Sequence, residues 1–280
     1  MAELTDVQPY VIREDRGGVT TLTLNRGDKF NPLSEEMLAA LQADVAAVAK
    51  DESVRVVVLA AHGKAFCAGH DLKQMRAAPS AAYYKKLFDQ CSKLMLAIQQ
   101  MPQPVIARVQ GMATAAGCQL VAMCDLAVAA SDAKFAVSGI NYGLFCSTPS
   151  VGLSRNMGRK QAMEMLLTGE FIDAPTALAR GLVNRVAAAD ALDAEIAGSE
   201  TPEPLGTHPL STPGTFDGPQ AQLIATVAAY LVAGGLRVAR PRLLVAGVAR
   251  FIGGETGTVE RQRRAADNRQ AECRHCSECG

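Results

Sequence analysis

Apolar and polar positions alternate over residues 18–24 (GVTTLTL), the two-residue period of a strand with one face buried. Beyond NRGDKFNPL, Met37, Leu38, Leu41, Val45 and Val48 recur at three- and four-residue intervals, the apolar stripe of an amphipathic helix. Ser34 can cap its first turn, and Glu35 and Glu36 stand where carboxylates favour the positive end of a helix dipole. Residues 54–60 (VRVVVLA) are almost continuously apolar, as in a strand covered on both faces. Strand, helix and buried strand in that order imply a right-handed βαβ crossover.

The alternation continues. HGKAFCAGHDL (62–72) is punctuated by glycine and reads as a loop. Helical spacing returns over 81–100, with Tyr84, Leu87, Cys91, Leu94, Met95 and Ile98 on one side, until Pro102 and Pro104 stop it. PVIARV (104–109) predicts another buried strand, GMATAAGC (111–118) a small-residue loop entering a helix, and DLAVAA (125–130) a further strand. RKQAMEMLLTG (159–169) predicts a helix, and DAPTALARGLVNRV (173–186) a helix, a turn at Gly181 and a short strand. Repeated strand-then-helix order predicts an α/β domain.

Near residue 198 the chain changes character. Residues 201–280 hold nine Arg, no Lys and no Met, whereas the first 200 hold all nine Lys and all ten Met. Six of the thirteen prolines fall there too, and GSETPEPLGTHPLSTPGTFDGP (198–219) is linker-like. The division predicted is a core over 1–197 and an atypical Pro/Gly/Arg-rich tail over 198–280. The tail reads as the product of a shifted frame or a replaced segment, which the coding DNA decides. Its CRHCSECG end, with Cys273, Cys276, Cys279 and His275, lacks the second knuckle of a zinc or iron–sulfur site, so no metal is expected.

Twenty-eight basic and 28 acidic residues cancel, which gives no field for nucleic acid or an anionic membrane. No stretch of the first 200 residues is a transmembrane span. The N-terminal MAELTDVQPYVIRED is neither an apolar signal nor an acid-poor transit sequence, and the expected location is cytoplasmic. Cys67, Cys91, Cys118, Cys124 and Cys146 are scattered among apolar residues, as buried reduced thiols are.

Two small-residue loops carry the candidate chemistry. FCAGHDL and ATAAGC each follow a strand and lead toward a helix, where peptide N–H groups can approach a ligand and hold a developing oxyanion. Tight packing of small residues would give the same pattern in either loop alone. Together with TLTLNRGDKFNPLSEEM, GKAFCAGHDLKQM, PVIARVQGMATAAGCQLVAMCDLAVAASDAKFAV, GLFCSTPSVGLSR and LLTGEFIDAPTALARGLVNRV, over residues 10–197, the chain resembles the crotonase (enoyl-CoA hydratase/isomerase) superfamily. AGHDLK, AAGCQLVA and GLFCSTP most resemble the branch called enoyl-CoA hydratase domain-containing protein 3.

The resemblance implies a spiral of ββα units that binds acyl-CoA thioesters, with coenzyme A as part of the substrate and no separate cofactor. It implies that the backbone N–H groups of His70 and Ala116 polarise the thioester carbonyl. Coenzyme A would lie along the extended backbone around Phe66, Ala68, Asp71 and Leu72, with Arg26, Lys29 and Lys73 as candidate partners for its phosphates. The family norm is a homotrimer or hexamer, which the altered C-terminus puts in question. Hydratases of the family use two glutamates as an acid/base pair, and these fall on Gln119 and Gly139. An amide has no proton to exchange near neutral pH, so hydration of enoyl-CoA is expected to be weak or absent. Ser147, with Cys146 beside it, and Asn141 are the groups near which another reaction, thioester hydrolysis or isomerisation, would be built. A non-catalytic acyl-CoA-binding protein is the remaining reading.

Overall fold

The computed structural model describes residues 8–77 and 79–197; the expectations placed on the tail and its cysteine cluster lie outside the described residues. The chain opens with a hairpin, β1 (Val11–Arg16) antiparallel to β2 (Val19–Leu24). Its turn residues, Gly17 and Gly18, both have positive φ (60° and 86°), the geometry a two-residue hairpin turn needs and glycine tolerates. α1 (Glu35–Val48) follows, capped by Ser34, whose side chain accepts the Met37 N–H at 3.2 Å. Its five predicted stripe residues are all buried.

Three repeats then build two sheets at once. β3 (Val56–Ala61) and β4 (Ala65–Cys67) precede α2 (Leu72–Ala77) and α3 (Ala81–Gln100). β5 (Val105–Val109) and β6 (Met112–Thr114) precede α4 (Ala116–Met123), and β7 (Leu126–Ala130) and β8 (Lys134–Ala136) precede α5 (Ser147–Asn156) and α6 (Arg159–Thr168). The first strand of each pair joins one sheet and the second joins the other. The larger sheet runs β1-β2-β3-β5-β7-β10, parallel from β2 onward, and the smaller runs β4-β6-β8-β9. The last two strands are β9 (Ile172–Asp173), antiparallel to β8, and β10 (Arg185–Ala187), parallel to β7. Between them lies α7 (Ala174–Ala179), and α8 (Leu192–Ala197) closes the described chain. This is the spiral of ββα units that the resemblance implies.

The core is where α1 and α3 meet the larger sheet. Leu41 and Val45 of α1 and Ile98 of α3 line a small apolar void with Leu22, Val57, Leu59 and Val105 from β2, β3 and β5. Each such fully buried aliphatic side chain contributes about 1.5–3 kcal/mol relative to exposure. Every residue of β3 is buried, as its unbroken apolar run predicts. Among the described residues no helix is long and apolar enough to cross a membrane.

Two differences from the sequence expectation have physical causes. β4, β6 and β8 fall where the sequence shows loop or no regular pattern, because at three residues each they are too short to show a period. α5 was not expected because STPSVGLSRN carries Ser, Thr, Pro and Gly, poor helix formers. Pro149 is tolerated because it sits in the first turn, where its missing N–H leaves no helical bond unmade.

Candidate functional site

The His70 peptide is held by the segment just before α1. The Ala68 N–H donates to the Phe30 carbonyl at 3.0 Å, the Leu33 N–H donates to the Gly69 carbonyl at 2.8 Å, and Leu33 and His70 pair as a single parallel bridge. That segment is pinned in turn by Asn31, which is fully buried and sits at φ 49°. Its Oδ1 accepts the Arg26 N–H at 2.8 Å, and its Nδ2 donates to the carbonyls of His62 at 2.8 Å and Ala65 at 2.9 Å. Asparagine is among the few residues that accept the left-handed region readily. The sequence reading passed over Asn31; its signal is an asparagine before proline at the entry to a helix.

The His70 ring lies edge-on to Phe88, with centroids 5.4 Å apart, and its Nδ1 is 3.3 Å from the Leu33 carbonyl. A carbonyl partner assigns the proton to Nδ1 and leaves Nε2 as an acceptor. Burial lowers the histidine pKa from 6.5, and the bond to Leu33 offsets part of that. The ring is therefore neutral at pH 7.

The second loop meets the first. Ala115 enters α4 at φ 49°, ψ −118°, a conformation alanine rarely adopts, with its N–H bonded to the Ala136 carbonyl at 2.9 Å. Gly69, at φ 89°, packs against that entry: a Cβ there would stand 3.1 Å from both the Thr114 carbonyl oxygen and Ala115 Cβ, and 3.3 Å from Ala116 N. A Cβ on Gly117 would lie 2.1 Å from the Cys67 carbonyl oxygen. Thr114 Oγ1 donates to the Ala68 carbonyl at 2.9 Å, a second clamp between the loops that the sequence did not suggest. Among the described residues neither the His70 nor the Ala116 N–H has an acceptor. The two donors lie on touching segments, and that of Ala116 stands at a helix N-terminus, where the dipole favours negative charge.

Gln119 is the fourth residue of α4 and 4% exposed. Residues three apart share a helix face, so Gln119 lies on the same face of α4 as Ala116. Its Oε1 is buried without a hydrogen-bond partner. Burial pushes the neighbouring Cys118 thiol up to about 12, with a smaller contribution from Cys146, so the α5 corner lies near the start of α4.

At that corner Gly139 has no room for a side chain. A Cβ on it would stand 2.6 Å from Cys146 Sγ and 2.8 Å from the Leu144 carbonyl oxygen. Burial also raises the Cys146 thiol pKa. Ser147 opens α5 at the surface, and its carbonyl accepts from Ser150 Oγ at 2.6 Å. Among the described residues no histidine or carboxylate is hydrogen-bonded to Ser147 or Cys146. Asn141 is exposed beside Gly169. Burial holds Cys67 and Cys91 at about 12, so these thiols, like Cys118, stay protonated.

The residues expected along coenzyme A are placed unequally. Arg26 is not free for a phosphate: it donates to the carbonyls of Pro9 at 2.8 Å, Asn25 at 2.6 Å and Gln8 at 2.7 Å and stacks on Tyr10 at 3.8 Å. The guanidinium ties the residues before β1 to the end of β2. Lys29 and Lys73 are exposed. Phe66 is a core side chain, and both backbone groups of Ala68 are already engaged. Asp71 Oδ1 accepts the N–H groups of Lys73 at 2.9 Å and Gln74 at 3.1 Å, which makes it the cap of α2. Leu72, 45% exposed, offers an apolar side chain to the surface.

Comparison with known proteins agrees with this architecture. A protein of Xenopus laevis named enoyl-CoA hydratase domain-containing protein 3, mitochondrial, is 46% identical over 187 residues, which are 67% of this chain and 64% of that protein. The crystal structure of an enoyl-CoA hydratase from Mycobacterium smegmatis is 68% identical over 68% of this chain and 74% of its own, with a TM-score of 0.67. The crystal structure of human enoyl-CoA hydratase domain-containing protein 3 is 37% identical, covers 80% of this chain and 91% of its own, and has a TM-score of 0.65. The match spans less than two thirds of the frog, mouse and human curated relatives. All three of these are named mitochondrial, which overturns the cytoplasmic expectation drawn from an N-terminus without transit-sequence composition. The model of the enoyl-CoA hydratase/isomerase family matches residues 14–198, ending where the composition changes, and the chain belongs to that family.

Proposed function

We propose that this protein binds a fatty acyl-CoA thioester with its carbonyl oxygen on the His70 and Ala116 N–H groups, and hydrates enoyl thioesters slowly or not at all. The observation that carries this reading is the pair of positions where a hydratase of the family would hold its glutamates. Gln119 has no proton to exchange, and the space beside Gly139 is filled by Cys146 Sγ and the Leu144 carbonyl. Each missing acid/base group lowers a rate by about 10²–10⁴-fold. The donors that would polarise a carbonyl do not depend on either glutamate, so binding survives their loss.

Lys73, exposed just after the first loop, Lys29, exposed next to Phe30 whose carbonyl pairs with Ala68, and the exposed Leu72 are the groups proposed to meet coenzyme A. A nucleophilic reaction at Ser147 or Cys146 is the weaker reading, because neither has a base and the Cys146 thiol is pushed up by burial. The test is to add crotonyl-CoA to the protein, follow loss of the enoyl chromophore, and titrate crotonyl-CoA and free coenzyme A by calorimetry. Binding without turnover is expected. Turnover at the rate of a two-glutamate hydratase would refute the loss of hydration, and absence of binding by any thioester would refute the whole reading.

A further inference from the structure

The first loop passes straight into α2, and α2 has little of its own to hold it in place. It is six residues long, too short to be a stable helix alone, and none of its residues is buried. Its cap, Asp71, belongs to the same segment. Toward other elements, Met75 packs against the core while its carbonyl accepts from the Tyr84 hydroxyl at 3.3 Å, and Gln74 crosses to the start of α1.

Gln74 uses both ends of its amide. Its Oε1 accepts the Glu35 N–H at 2.9 Å, a first-turn donor of α1 that no helical carbonyl can take. Its Nε2 donates to both carboxylate oxygens of Glu36, each at 3.3 Å. The Glu35 carboxylate is engaged elsewhere, by Lys86 Nζ at 2.6 Å. An N–H and a carboxylate side by side call for one acceptor and one donor on a single side chain, which an amide has and a carboxylate or an ammonium lacks. The contact extends the run that joins these two segments, Phe30 with Ala68 and Leu33 with Gly69.

We infer that Gln74 is a positioning residue for coenzyme A: by docking α2 on the start of α1, it holds Leu72 and Lys73 where the ligand meets them. The inference rests on the acyl-thioester reading above and adds the residue that keeps its coenzyme A segment in place. Because α2 buries no residue, releasing it lowers the population of the binding-competent arrangement and leaves the stability of the core unchanged.

The experiment is a double-mutant cycle on the full chain, read by calorimetric titration with free coenzyme A and with crotonyl-CoA, alongside urea unfolding of each variant. Gln74→Glu keeps the shape and the acceptor for the Glu35 N–H but sets a second carboxylate against Glu36. It is expected to weaken both ligands about ten-fold, within the range of couplings between residues in contact, with the urea midpoint unchanged. Glu36→Gln alone, whose amide oxygen can still accept from Gln74, is expected to change little. In Gln74→Glu/Glu36→Gln donor and acceptor are exchanged, and affinity is expected to return to within about two-fold of the unaltered chain. A merely structural brace would move the urea midpoint together with affinity, and that result overturns the inference. So does an affinity that Gln74→Glu leaves unchanged, or a loss that the double variant does not recover. If the unaltered chain binds neither ligand, the acyl-thioester reading falls first and takes this inference with it.

Discussion

Substituting Gly139 by alanine tests whether the corner between β8 and α5 is closed to a side chain. The new Cβ would stand 2.6 Å from Cys146 Sγ and 2.8 Å from the Leu144 carbonyl oxygen, both closer than such atoms approach without a shift. The two obstacles differ in how they can yield. The thiol is a side-chain tip, but the Leu144 carbonyl belongs to a turn closed by Leu144 N–H to the Gly139 carbonyl and Gly143 N–H to the Ile140 carbonyl, each at 3.0 Å. Overpacking of this kind costs roughly 1–3 kcal/mol, and Gly139→Ala is expected to cost about 2 kcal/mol, within that range. Truncating the thiol in Gly139→Ala/Cys146→Ala is expected to recover about half of it, a coupling of the size seen between residues in contact. The chain has no tryptophan, so urea unfolding followed by far-ultraviolet circular dichroism is the suitable assay. A cost for Gly139→Ala within about 0.5 kcal/mol of zero, the range of inconsequential surface changes, would refute the steric argument. So would a full cost that is indifferent to Cys146.

Further predictions follow from the braces around the site. Asn31→Ala removes an acceptor for the Arg26 N–H and donors for the His62 and Ala65 carbonyls, and it places alanine at φ 49°. It is expected to destabilise by about 3 kcal/mol, since each buried group left unpaired costs about 1–3 kcal/mol; urea unfolding measures it, and a loss under about 1 kcal/mol would contradict the role assigned. For His70, burial sets the folded pKa below the 6.5 of the free side chain. The unfolded chain then binds the proton more readily, so this contribution to stability is intact above pH 6.5 and is lost as pH falls through the folded value. Nuclear magnetic resonance titration of the ring should find a midpoint below 6.5, and a midpoint above it would contradict the packing described. In the native chain Cys146, half-buried, should react with a maleimide before Cys67, Cys91, Cys118 and Cys124, and peptide mapping of the labelled protein reads the order.

What could be read from the sequence follows from how locally each feature is encoded. α1 and α3 announce themselves because long helices repeat their apolar stripe several times, and β3 because a doubly covered strand has no polar face to interrupt it. The three-residue strands of the smaller sheet have no such repeat, and their pairing depends on the spiral rather than on their own residues. At the site, the small-residue loops are visible as motifs. Asn31 and Thr114 were not, because their partners lie 31 to 46 residues away. The contacts of Arg26 are hidden in the same way: the sequence shows a cation in a loop, and only the fold places Tyr10 and three carbonyls around it.

The residues at the two expected acid/base positions also constrain each other. Gln119→Glu alone would restore one carboxylate on α4. The second would still be missing, and Gly139→Glu meets Cys146 Sγ and the Leu144 carbonyl before its carboxylate can reach any substrate. Rebuilding the pair therefore requires the turn over residues 139–144 to open, not two side-chain exchanges. Gln119→Glu/Gly139→Glu is accordingly expected to lose stability without gaining hydration. The His70 and Ala116 donors are held by a different set of contacts, Leu33 with Gly69, Phe30 with Ala68 and Thr114 with Ala68, none of which passes through Gly139. The proposed function therefore predicts that thioester affinity survives changes at the corner that leave the core folded, which calorimetric titration of Gly139→Ala with crotonyl-CoA checks.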